Sequence, residues 1–151
     1  MTIQWNKDDL FYVCTMIEYV SRKTHNKSKD VVVRMSDKAL AHQLKAAGIN
    51  HCLSFEQVAD EWIEDYGIPN GNYDNISKCR YEVPTVTAIG RVYQTLISEV
   101  ASLYQDIVEA IKMVYSSFIS DEISDYNSSV YYSNPDHFWN AAPSSGGKLL
   151  D

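Results

Sequence analysis

Apolar residues recur at intervals of three and four along most of the chain, which is the period of an α-helix with one buried face. In the first such segment the apolar stripe runs from Leu10 to Val20. Each of three segments starts with a residue that caps helix N-termini and is preceded by an apolar residue that can pack one turn inside the helix. The predicted caps are Asn6, Ser36 and Ser54, and the predicted helix ends are Lys23, Gly48 and Gly67.

The strongest helical pattern lies in the second half of the chain. Apolar residues recur from Ile89 to Phe118, and neither glycine nor proline interrupts them after Gly90. The stripe is broader than the seam of a two-stranded coiled coil. It predicts one continuous amphipathic helix over about residues 86–120. Ser102, which has a glutamine three residues later, is also a helix-start signal, so a hairpin broken near residue 102 is the alternative.

The remaining segments are short or polar. Residues 31–35, "VVVRM", are typical of either a short strand or a buried helical turn. Residues 67–84 form a long polar loop, a kind of connection that is usually functional or mobile. We therefore predict an all-α fold of four to five helices, packed as a bundle or an orthogonal array around a long C-terminal amphipathic helix. Residues 1–140 are expected to form one domain and residues 141–151 a flexible tail.

The composition is that of a globular protein. The negative charge is concentrated in the second half of the chain. The 151 residues are 45% apolar, enough for one domain with a buried core. Residues 1–90 hold 10 basic and 12 acidic residues, a balance of −2, whereas residues 91–139 hold 2 and 7, a balance of −5. An acidic surface repels nucleic acid and anionic lipid and favours a basic protein partner.

Three sparse cysteines, no apolar run approaching 18 residues and no secretory leader predict a cytoplasmic protein with reduced thiols and no membrane span. The four histidines show none of the spacings of known metal sites, so we predict no metal and no cofactor.

Two groups of residues offer weak catalytic alternatives. Cys52 lies near the predicted helix start at Ser54, where the helix dipole stabilises a thiolate, and His51 is its neighbour in sequence. Adjacent side chains usually diverge, however, and the base of a nucleophile must reach the sulfur. The acids Asp121, Glu122 and Asp125 are the second group, for acid–base chemistry.

The distribution of charge argues against nucleic-acid binding. The helix predicted after Ser54 carries five acidic residues and no basic one, so it would be repelled from a DNA groove. One basic cluster exists, and we expect it to be a solvated loop that offsets the acidic second half of the chain, with a phosphate-binding patch as the alternative. Its members are Arg22, Lys23, Lys27, Lys29 and Arg34.

The segment "SSFISDEISDYNSSVYYSNPDHFW", residues 116–139, combines acids with aromatic residues. Tyrosine and tryptophan on a polar background are typical of interface hot spots. The alternative is that these aromatic residues pack across the preceding helix and close the core. The predicted partner-binding residues are Asp121, Glu122, Asp125, Tyr126, Tyr131, Tyr132 and Trp139.

The stretch from "MIEYVSRKTHNKS" to "FEQVADEWIEDYGI", about residues 8–68, resembles small uncharacterised helical proteins of Gram-positive bacteria, some of which are encoded beside toxin-like partners. The resemblance rests on the hydrophobic pattern and implies an antitoxin-like role. Together with the charge asymmetry, it leads us to expect a non-enzymatic interaction module, antitoxin-like or an adaptor, that binds a basic protein or another copy of itself. A small enzyme using Cys52 and His51, or the three acids, is the alternative.

Overall fold

The computed structural model describes residues 3–127, and within this range the chain forms seven α-helices and no strand. The all-α prediction is confirmed, with more helices than the four to five expected. None of the seven has both the length and the apolar character that a membrane-crossing helix requires. The helices are α1 Lys7–Thr24, α2 Ser28–Val33, α3 Asp37–Asn50, α4 Phe55–Tyr66, α5 Val86–Tyr104, α6 Ile107–Tyr115 and α7 Phe118–Ser124.

The three predicted helix caps are confirmed. The side chains of Asn6, Ser36 and Ser54 each accept a hydrogen bond from the backbone N–H three residues later, at 2.7, 3.1 and 3.1 Å. The ambiguous segment 31–35 begins inside α2 and is helical there. Gly48 was expected to end α3, but the helix continues to Asn50.

The long C-terminal helix predicted over residues 86–120 is wrong, because the chain turns twice within it. Gln105 adopts the left-handed conformation with φ of 59°, which ends α5. The Asp106 side chain then accepts a hydrogen bond from the Glu109 backbone N–H at 3.1 Å and caps α6. A second turn at Ser116 and Ser117 separates α6 from α7. The break therefore lies three residues beyond the alternative position near residue 102.

Helix α1 contacts most of the other helices. It packs along α5 most extensively and also contacts α2, α3 and α4. At Gly90 the backbone of α5 lies so close to α1 that an added Cβ atom would overlap Thr15 Oγ1. Because several elements cover α1, its polar residues Glu18 and Ser21 are buried along with its apolar ones. Buried polar groups need partners inside the protein, and Glu18 finds them on other elements.

The long loop of residues 67–84 is attached to the end of α1. The Gly71 N–H donates to the Thr24 carbonyl oxygen at 2.7 Å, and the Tyr73 N–H donates to the His25 carbonyl oxygen at 2.9 Å. A Cβ atom at Gly71 would overlap that same His25 oxygen, so only glycine fits this approach. These bonds give one stretch of the loop a fixed position beside α1.

Candidate functional site

The acids predicted to bind a partner lie at the surface around α7. Asp121, Glu122 and Asp125 are all exposed. Asp121 lies in the first turn of α7, the end of the helix dipole that favours an acid, and its Oδ1 also accepts from Lys29 Nζ of α2 at 3.1 Å. Exposed carboxylates lack the enclosing pocket on which acid–base catalysis by a carboxyl pair depends. The three acids therefore form a charged surface.

Of the four aromatic residues in the predicted site, only Tyr126 lies within the described residues 3–127. Tyr126 is only 2% exposed, and its hydroxyl donates to the Glu18 carboxylate. This side chain closes the core, which is the alternative that the sequence left open for it. Tyr131, Tyr132 and Trp139 lie outside residues 3–127, so their partner-binding role stays a prediction.

Glu18, Arg22 and Tyr126 form a buried polar cluster. Arg22 Nε donates to Glu18 Oε2 at 2.8 Å and to the Tyr126 hydroxyl at 3.2 Å, and the Ser28 hydroxyl donates to Glu18 Oε1 at 3.2 Å. Burial raises the pKa of Tyr126, the negative charge of Glu18 raises it further, and Arg22 opposes both. The tyrosine therefore stays a neutral hydrogen-bond donor to Glu18 at physiological pH.

A polar cavity of about 270 Å³ adjoins this cluster. It lies between the end of α1, the loop 67–84 and the last residue of α7, Ser124. Tyr73 Oη and Asn75 Nδ2 both donate to the Ser124 carbonyl oxygen, at 3.3 and 2.8 Å, and so join the loop to α7. Glu18 and Asp74 contribute carboxylates to the lining. The sequence drew attention to none of these cavity residues as a group, because the loop and α7 are about 50 residues apart.

A second depression, which we call the α2–α6 groove, has a volume of about 550 Å³. The apolar side chains of Val32, Val33 and Met113 line it. Lys112 and Asp37 line it as well and form an ion pair with Nζ to Oδ1 at 2.7 Å. The groove thus combines apolar surface with charges that are already paired.

Two large apolar side chains stand exposed at one end of α2 and α7. Ser28 starts α2 and Ser124 ends α7, and both line the polar cavity. Val33 ends α2 and lines the α2–α6 groove, and Phe118 begins α7 two residues after Ser116, which lines the groove as well. Val33 is 80% exposed and Phe118 is 49% exposed. An isolated exposed apolar residue is ordinary, but exposed apolar residues next to a groove are typical of an interaction surface.

Cys52 and His51 approach each other more closely than expected for neighbours in sequence. Cys52 Sγ lies 3.8 Å from His51 Nδ1 in the connection between α3 and α4, and both side chains are exposed. Cys14 is buried in α1, and Cys79 Sγ donates to the Tyr81 carbonyl oxygen at 3.2 Å. A contact between thiol and imidazole exists, therefore, at an open position.

The basic cluster mostly serves as a set of counter-charges, but only Lys29 pairs with an acid of the second half of the chain. Lys27 Nζ lies 5.5 Å from the centre of the Tyr73 ring, a cation–π contact beside the polar cavity. Three other members form ion pairs, Arg22 with Glu18, Lys23 with Glu56 and Asp60, and Lys29 with Asp121. Side chains held in this way are less available to a phosphate backbone.

Within residues 3–127, no three histidine, cysteine, aspartate or glutamate side chains converge as the ligands of a metal ion would. Comparison of the chain with protein-family models, with curated proteins and with solved structures finds no match. The resemblance of residues 8–68 to helical proteins of Gram-positive bacteria therefore stays a prediction.

Proposed function

We propose that the protein is a non-enzymatic interaction module that binds a protein partner at the α2–α6 groove. The observation that carries this proposal is the exposure of Val33, at 80%, next to an apolar groove of about 550 Å³. Apolar surface that stays in water in the isolated chain is the surface whose burial drives association. Phe118 adds an aromatic side chain, the kind that dominates interface energies.

Charge indicates what kind of partner fits this surface. Glu109 lines the groove, and the two lysines that line it, Lys29 and Lys112, are both engaged in ion pairs, with Asp121 and Asp37. With the chain's net charge of −7, this surface attracts a basic protein. An antitoxin-like neutraliser and an assembly adaptor are two forms of this function, and association with a second copy is a third.

The test compares two exposed aliphatic positions. Val33→Asp places a charge beside the groove, while Ile49→Asp places the same charge at a position that is 75% exposed at the end of α3. We expect wild type and Ile49→Asp to retain the partner in affinity capture from host extract, and Val33→Asp to lose it. Binding should weaken as salt is raised, because the attraction is partly electrostatic.

Light scattering across a concentration series identifies association with a second copy in the same set of variants. The proposal is contradicted by a protein that stays monomeric and captures no partner at low salt. If the two aspartate variants captured the partner equally well, the interaction would not involve the α2–α6 groove.

One observation favours a second candidate, a small enzyme with a Cys52 nucleophile, namely the 3.8 Å contact between its sulfur and His51 Nδ1. If the histidine acts as its base, Cys52 should react with a chromogenic disulfide faster than free cysteine does at neutral pH, and His51→Ala should remove the excess. Cys79→Ser serves as the control and should leave that rate unchanged. A rate equal to that of free cysteine eliminates this candidate.

A further inference from the structure

Hydrogen bonds join the three parts of the chain that line the polar cavity, which are the end of α1, the loop 67–84 and Ser124 of α7. Arg22 Nη2 donates to the Pro84 carbonyl oxygen at 2.6 Å, and Asn26 Nδ2 donates to the Pro69 carbonyl oxygen at 2.7 Å. These bonds hold both ends of the loop 67–84 to α1, and Tyr73 and Asn75 hold its middle to α7. The volume of about 270 Å³ lies just below the range of about 300–1,000 Å³ for small-molecule sites, so it suits one small group.

Most of the hydrogen-bond donors around the cavity already donate to acceptors within the protein. The hydroxyls of Ser21 and Ser28 donate to the Ile17 carbonyl oxygen, at 2.5 Å, and to Glu18, at 3.2 Å. The Tyr73 hydroxyl and the Asn75 amide nitrogen both donate to Ser124, and the Ser77 hydroxyl donates to Asp74.

The two carboxylates keep a small free capacity. A carboxylate accepts about four hydrogen bonds. Glu18 receives three, from Arg22, Ser28 and Tyr126, and Asp74 receives three, from the Ser77 hydroxyl and the Ile76 and Ser77 N–H groups, so each can accept about one more. The cavity therefore offers lone pairs to a ligand, and a ligand rich in N–H groups is the complement of such a lining.

The titratable groups that line the cavity are the carboxylates of Glu18 and Asp74, the guanidinium of Arg22 and the imidazole of His25. The charge of Glu18 is offset by Arg22, but Asp74 has no such ion pair among the described residues. Burial raises the pKa of Tyr73, and the negative charges of Asp125, Glu18 and Asp121 raise it further. A neighbouring lysine ammonium already rests 5.5 Å from the Tyr73 ring centre, so that ring accepts a cation.

We propose that the polar cavity binds an alkylammonium or alkylguanidinium group. Asp74 and Glu18 would accept its N–H groups, and the Tyr73 ring would pack against its alkyl stem or its charge. Two sources present this chemistry, a free small amine and the lysine or arginine side chain of a protein. The site is separate from the α2–α6 groove, so each proposal stands or fails on its own experiment.

The test is calorimetric titration of the full chain with n-butylammonium and n-butylguanidinium. Butanol and butyrate are the matched neutral and anionic probes. Asp74→Asn removes the charge and keeps an oxygen for the turn at Ser77, and we expect it to weaken binding of either cation about tenfold, the effect of one charge-assisted hydrogen bond. Glu64→Gln removes one charge from exposed α4, and its affinity should equal that of wild type.

A lysine peptide with blocked termini separates the two sources. Binding of this peptide as tightly as butylammonium, and its loss on acetylation of the lysine, identifies a protein side chain as the ligand. Binding of the free amine alone identifies a small molecule. The inference is overturned if neither cation binds more tightly than butanol, or if Asp74→Asn and Glu64→Gln bind the cations equally.

Discussion

At the scale of single residues, Glu18 explains how the chain holds its C-terminal helices against α1. It is a carboxylate with only 5% exposure, inside a helix whose neighbours are apolar. An unpaired buried charge costs several kcal/mol, so its three donors, Arg22, Ser28 and Tyr126, are a requirement of the fold. One contact of this cluster can be predicted from the sequence, because Glu18 and Arg22 are spaced i, i+4 on a helix. The donor that follows α7, by contrast, is 108 residues away and has no local signal.

The Tyr126 hydroxyl is the first target for a stability measurement. Tyr126→Phe removes a donor to a buried carboxylate while keeping the ring, so we expect the free energy of unfolding to fall by about 1–3 kcal/mol. Tyr104→Phe, on an exposed ring, is the control and should change it by less than about 0.5 kcal/mol. Urea denaturation measures both. Equal stability of the two variants would show that Glu18 does not need this donor.

Cys14 gives the protein a specific dependence on pH. Burial raises the pKa of its thiol from the ordinary value of 9.0 to about 12. Above pH 9 the unfolded chain therefore loses a proton that the folded chain keeps, and stability falls as pH rises, by up to about 1.4 kcal/mol per pH unit for this group. Burial also raises the pKa of Tyr93 and Tyr115, which adds to the fall above about pH 10.

Urea denaturation at pH 8.0, 9.0, 9.5 and 10.0 isolates the contribution of this thiol. Cys14→Ala should be less stable than wild type at every pH, with a shallower decline above pH 9. Cys52→Ala, at an exposed thiol, should decline in parallel with wild type. Parallel curves for Cys14→Ala and wild type would contradict the assignment.

At the scale of elements, local signals located helix starts better than helix ends. Caps are interactions within one turn, so Asn6, Ser36 and Ser54 could be read from the sequence. The end of α3 depends on distant contacts, because the carbonyl oxygen of Asn50 accepts from the Tyr12 hydroxyl at 3.2 Å. The breaks in the C-terminal region fall where apolar spacing continues undisturbed, so periodicity alone could not show them.

The turn between α5 and α6 can be tested by substitution at Gln105. The expected change in stability is positive for a turn and negative for a continuous helix. Gln105 has a positive φ, which glycine adopts without the steric cost of a Cβ atom, so Gln105→Gly should stabilise the protein by about 0.5–1 kcal/mol. In a continuous helix the same change would cost about 1 kcal/mol. Glu99→Gly, at an exposed position inside α5, is the control and should show that cost. Thermal and urea unfolding of both variants decides between the two structures.

At the scale of the whole molecule, the end of α1 organises parts of the chain that are far apart in sequence. Its backbone and side chains form hydrogen bonds with the loop 67–84. Arg22 also donates to the hydroxyl of Tyr126, just after α7. The sequence predicted the length and polarity of the loop, and its all-α fold class is confirmed for residues 3–127. Its attachments could not be predicted, because each joins residues more than 40 positions apart. The polar cavity exists only where these attachments meet.

The backbone contact at Gly71 is the point where this arrangement can be disturbed with one methyl group. A Cβ atom there overlaps the His25 carbonyl oxygen and the Asn26 side chain, and overpacking of this kind costs about 1–3 kcal/mol. In Gly71→Ala the Tyr73 amide, which bonds His25, should therefore exchange its hydrogen about five- to hundredfold faster than in wild type.

Gly48→Ala is the matched control for that substitution. Nothing lies within 4 Å of a Cβ atom at Gly48, which is inside α3, so this change should raise global stability by about 1 kcal/mol. It should not accelerate exchange at Tyr73. Native-state hydrogen exchange of the three proteins, followed residue by residue, measures both effects. If Gly71→Ala leaves the Tyr73 amide as protected as in wild type, the loop is not held to α1 by this contact, and the polar cavity loses the wall that its ligand would need.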